Sequence, residues 1–168
     1  SFSSAWGWSG LADVLSGDPS WSGLAILSDL VRYGAWYVFL LLLAWPSGET
    51  RPPLRVRALG IGALIVWLGA ALVEAVGAFD LVTLPKGVRW TPLAWLALAV
   101  FGLLLVEQMF RSIAPDSRWN AKPVSIALAG SFAFDLYLYS QAVIFGTQDV
   151  DAYSIRGAVH ALMAPLLF

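Results

Sequence analysis

Apolar residues in this chain run in long blocks, and the polar residues collect in the gaps between them. Crossing about 30 Å of hydrocarbon takes roughly 20 apolar residues in a helix. Four blocks meet that length: 24–45, which closes on the unbroken FLLLLAW, then 58–82, 93–111 and 124–146. A fifth, 155–168, is still apolar at Phe168 and reads as a truncated further helix. Residues 1–23 are too short and too rich in Ser and Gly to span. They read as the end of a preceding helix and an external loop with an interfacial turn at LADVL. The pattern predicts an all-α, polytopic transmembrane helical bundle over 24–168.

The gaps carry turn chemistry. Pro46, Ser47 and Gly48, with Pro52 and Pro53, end the first span, and Pro85, Lys86 and Gly87 separate the second from the third. Pro115 and Asp116 lie in the next connection, and Pro123 is expected at the start of the fourth helix, where a missing N–H costs nothing. Of the nine tryptophans, Trp21, Trp45, Trp90 and Trp119 fall at expected helix ends, which suits an amphipathic ring in the headgroup layer.

Composition sharpens this picture. The chain is 59% hydrophobic and 12% charged, about half the charge of a soluble domain. There is no cysteine and one histidine, so neither a thiolate metal site nor a multi-histidine haem site can be built from this chain alone. No cofactor is expected. A net charge of −1 gives no footing for nucleic acid. The chain starts at Ser1 and stops inside an apolar run, so it is expected to be a piece of a longer protein.

Basic residues orient the spans. Arg51, Arg55 and Arg57 occupy one loop, and Arg118 and Lys122, with Arg111 at the edge, occupy another. Lys86, Arg89 and Arg156 lie on the opposite side. Counting positive charge places loops 46–57 and 112–123 in the cytoplasm. The fifth helix then runs inward.

Catalytic signatures such as GxSxG, HExxH, a Walker loop or a dinucleotide fingerprint are missing, and the chain by itself is not expected to be an enzyme. Ionisable residues inside the spans are the candidates for function, because each is costly at membrane depth. They are Asp29, Arg32, Glu74, Asp135 and His160. Asp29 and Arg32, three apart, share a helix face. Asp135 and Tyr139, four apart, share another within FAFDLYLYSQ. One polar cluster is expected, with Asp29, Arg32, Glu74 and His160 in the outer half of the membrane and Asp135 near its middle. Such a cluster either senses a ligand or protonation, or only ties helices together. Glu107 and Arg111, four apart in VEQMFR, are expected to pair at the cytoplasmic interface.

From Val106 to Phe168 the chain resembles the membrane domain of PEP-CTERM/exosortase-system sensor histidine kinases of the PrsK type. Members typically show VEQ-x-x-R, then RW-x-x-K, then F-x-[FY]-D-x-Y-L-Y-[SA], then ARG-x-x-[NH]-A-L. Here the corresponding stretches read VEQMFR, RWNAK, FAFDLYLYS and IRGAVHAL. RYGAW, Arg32 to Trp36, is similar to an earlier helix of that family, and the match before Val106 is looser. The resemblance implies a bacterial inner-membrane, multi-helix sensor region followed by a cytoplasmic GAF domain, a dimerisation and phosphoacceptor domain and an ATP-binding domain. It implies a homodimer formed through the kinase region, and a response regulator that controls exopolysaccharide and protein-sorting genes. Where the family often has Asn, this chain has His160. The phosphoacceptor histidine and nucleotide motifs are not in the sequence, so no kinase residue carries over.

The leading reading is therefore a sensory or signal-transmitting membrane region. The alternative is a structural or accessory subunit inside a larger membrane complex. A transporter or intramembrane enzyme using Asp135 ranks last.

Overall fold

The computed structural model describes residues 19–45, 52–79, 88–113, 118–146, 155–156 and 158–159. Four long helices hold most of them: α1 (Pro19–Leu43), α2 (Leu54–Phe79), α3 (Trp90–Ser112) and α4 (Arg118–Phe145). Each is long and apolar enough to cross a membrane. The described residues contain no strand. The chain is a multi-pass helical membrane protein. A helix satisfies its own backbone hydrogen bonds, and an open strand in hydrocarbon cannot.

Helix ends differ from the sequence expectation where apolar content and backbone geometry part company. The first span was expected at 24–45, but α1 begins at Pro19 and ends at Leu43. A proline suits the first helical position. The fourth was expected to begin near Pro123, but α4 begins at Arg118 and carries Pro123 in its second turn. The helix gives up one N–H···O bond there, close to its end, and continues. Residues 118–120 therefore extend the helix beyond its apolar span. At the other end Gly146 takes φ +76°, and its N–H donates to the Ala142 carbonyl at 3.2 Å, a left-handed helix stop.

α3 is the central helix. It packs against α4 most extensively, and against α2 and α1; α1 also packs on α2, while the backbones of α1 and α4 stay apart. Glycines permit the close approaches. A Cβ on Gly102 of α3 would stand 2.7 Å from the Phe132 ring of α4, and one on Gly62 of α2 would stand 2.9 Å from Phe101 of α3. Large aromatic rings thus seat where the facing helix has no side chain. Tyr33, Leu40, Leu98, Leu105, Met109 and Phe132 are fully enclosed. The Tyr37 hydroxyl donates to the Leu98 carbonyl at 2.5 Å, so α1 is pinned to α3 by a polar bond inside an apolar core. Large apolar side chains such as Ile61, Ile65 and Leu72 point outward, as hydrocarbon surroundings allow.

Candidate functional site

Three separate stretches of chain bring charge to one buried place. α1 supplies Asp29, Arg32 and Tyr33, whose i, i+3 and i+4 spacing puts them on one face. α4 supplies Asp135, which is fully buried. The helical residues Ile155 and Arg156 supply a guanidinium that is 3% exposed.

Arg156 spans the two carboxylates. Its Nη1 donates to Asp29 Oδ2 at 2.7 Å and its Nε to Asp135 Oδ1 at 2.8 Å, with Nη2 3.4 Å from Asp135 Oδ2. Arg32 does the same from the other side, with Nε on Asp29 Oδ1 and Nη2 on Asp135 Oδ2, each at 3.2 Å. The Tyr33 hydroxyl donates to Asp135 Oδ2 at 2.6 Å. Among the described residues, two carboxylates and two guanidiniums alternate around a closed ring, with two charges of each sign. Balance matters here, since an uncompensated charge at this depth is expensive.

An aromatic wall backs the ring. Tyr33 lies 5.9 Å from Trp95 and 5.7 Å from Phe132 between centroids. Trp95 stacks on Tyr139 at 5.9 Å, and the Arg156 guanidinium carbon lies 5.7 Å from the Tyr139 ring, with that of Arg32 4.9 Å from Tyr33. Faces of electron-rich rings favour the two cations. These side chains fill the space between α1 and α4, whose backbones do not meet. The link between these two helices is therefore largely polar and aromatic.

The expected cluster of Asp29, Arg32, Glu74, Asp135, Tyr139 and His160 is only partly assembled. Asp29, Arg32 and Asp135 come together, and Tyr139 lies alongside. Glu74 does not join them. It sits on α2, which does not pack against α4, and its Oε1 accepts from the Trp95 indole at 2.7 Å. Among the described residues it connects to the charge ring through Trp95 and Tyr139. His160 lies outside the described residues. The phenol that hydrogen-bonds Asp135 is Tyr33 of another helix, at 2.6 Å, and not Tyr139, which shares its helix face. Glu107 and Arg111 pair at 2.6 Å on an exposed surface.

Arg156 was the residue sequence reasoning missed, having been counted among external loop charges. A signal was present: the candidate set held three acids and a single arginine, an imbalance that calls for another cation. Among the described residues no three of His, Cys, Asp and Glu come together, and the two aspartates are paired with arginines.

The class defined by this fold and site is a helical membrane bundle closed by an internal salt-bridge ring. No protein-family model, curated protein or solved structure matches the chain.

Proposed function

We propose that this chain is the membrane-embedded, signal-transmitting region of a two-component sensor histidine kinase in a bacterial inner membrane, with no catalysis of its own. One observation carries the reading. The buried charge ring is completed by Arg156, which lies in helical residues beyond α4 and not in α1–α4. A shift of that helix thus has a direct energetic consequence for α1 and α4, and the reverse holds by linkage. The resemblance of 106–168 to PrsK-type kinases supports the same reading, because Asp135 and Arg156 both fall within its motifs. The orientation set by basic residues puts loops 46–57 and 112–123 in the cytoplasm. On the sequence expectation of a fifth helix over 155–168, the chain then leads toward the side where a kinase and its response regulator work.

The test is made in the full-length parent in its native host, with a reporter for the regulated genes. Asp135→Asn is expected to shift basal output while membrane abundance stays normal. Unchanged output and unchanged stimulus response at normal abundance would remove the charge ring from signalling. The accessory-subunit reading draws on the outward-facing Leu and Ile of α2; stoichiometric copurification of other subunits with the full-length protein would favour it.

A further inference from the structure

The two ends of the bundle differ in how their charges are used. At the end holding the ring, the acids among the described residues are engaged inside: Asp29 and Asp135 with arginines, Glu74 with Trp95. Arg89 is also occupied, donating to the Ala142 and Val143 carbonyls at 3.1 and 2.6 Å and so capping α4. At the opposite end lie Arg55 and Arg57 of α2, Arg111 of α3 and Lys122 of α4. The arginines are exposed and Lys122 is half-buried. Glu107 pairs with Arg111. Among the described residues, Arg55, Arg57 and Lys122 have no acidic partner.

These cations lie near the same end of the bundle. Gly62 faces Phe101, and Gly102 faces Phe132, which fixes the relative heights of α2, α3 and α4. Rising 1.5 Å per residue from those contacts, Arg111 and Lys122 stand within about 2 Å of one height, with Arg55 and Arg57 about 5 and 8 Å nearer the middle. Side chains lean toward a helix N-terminus, and this is the N-terminal end of α2 and α4. Arg55, Arg57 and Lys122 therefore all reach outward along their long stems toward the end of the spans. The level is where the apolar spans stop. Trp119, 74% exposed, marks it, with the Lys122 ammonium 3.4 Å from its ring centroid. A belt of cations beside an exposed indole at the end of a span matches the phosphate layer of a bilayer.

We propose that this rim, led by Arg55, Arg57 and Lys122, is a binding surface for the headgroups of anionic phospholipids. It is a lipid surface because the cations sit where the membrane phosphates must lie, and exposed apolar side chains such as Leu54, Ile61, Leu104 and Ile126 adjoin them.

The experiment uses the full chain in neutral detergent with equimolar dioleoyl phosphatidylglycerol and dioleoyl phosphatidylcholine, the retained lipids being counted by native mass spectrometry. Phosphatidylglycerol should be retained in preference. Each cation near an anionic surface is worth about a fivefold gain in partitioning. The triple variant Arg55→Gln, Arg57→Gln, Lys122→Gln should lose most of the preference while keeping its helical circular dichroism and its phosphatidylcholine count. Raising salt should weaken the preference as well. A triple variant that folds and keeps full preference overturns the proposal. So does displacement of phosphatidylglycerol by equimolar inorganic phosphate, which would reveal a site for free anions. Should the triple variant misfold, each single substitution is expected to lower the preference about fivefold, and three folded single variants with unchanged preference overturn it equally.

Discussion

Replacing Arg156 with Gln removes one of two positive charges from a ring that holds two buried carboxylates. Arg156 makes the two shorter of its carboxylate contacts at 2.7 and 2.8 Å, and Asp135 has no exposure through which water can take over. Removing one partner of a buried ion pair costs about 3–5 kcal/mol, because the partner's charge is left behind. That is a large part of the roughly 5–15 kcal/mol that stabilises a typical fold. The cause is charge imbalance as much as lost hydrogen bonds, so a compensating change is expected to help. Asp29→Asn combined with Arg156→Gln leaves Asp135 with Arg32 and Tyr33, one negative charge against one positive. The double variant should be more stable than the sum of the two single losses by about 2 kcal/mol, within the range of directly coupled sites. The assay is reversible unfolding in mixed micelles with increasing dodecyl sulfate, followed by circular dichroism and tryptophan emission. If Arg156→Gln lies within about 1 kcal/mol of the parent, or the two losses simply add, the ring is not the closed electrostatic unit described above.

Smaller perturbations test other parts of the bundle by the same unfolding assay. Gly102→Ala pushes a Cβ to 2.7 Å from the Phe132 ring and should cost about 1–3 kcal/mol by overpacking, with partial recovery on adding Phe132→Leu. Glu74→Gln keeps an oxygen for the Trp95 indole and should change stability by less than about 1 kcal/mol, whereas Glu74→Leu orphans that donor and should cost about 1–3 kcal/mol; Trp95 emission reports both. Gly146→Ala places a side chain on the Arg89 guanidinium and forces alanine to φ +76°, for a loss of about 1–2 kcal/mol from the backbone alone. Arg111→Gln breaks only an exposed pair and should stay within about 1 kcal/mol of the parent.

Length and hydropathy determined the spans, because the hydrocarbon thickness sets a minimum run and every apolar block long enough to meet it became a helix. Spacing of three and four also determined which residues share a face, so Asp29 with Arg32 and Glu107 with Arg111 were readable as pairs. Helix ends were less legible. The headgroup layer tolerates polar helical turns, and residues 118–120 joined α4 without adding to its apolar span. What only the tertiary structure decided was which polar groups meet. Glu74 and Asp135 are both lone acids in apolar helices, and the pattern around each treats them alike. The central position of α3 separates them: α2 and α4 lie on different sides of it, so Glu74 finds an indole while Asp135 finds two guanidiniums and a phenol. Arg156 likewise carries no mark of burial in its own neighbourhood of sequence. Its place follows from the charge that α1 and α4 leave unbalanced between them, a quantity that exists only once those helices stand at the distance the Tyr33, Trp95 and Phe132 rings impose.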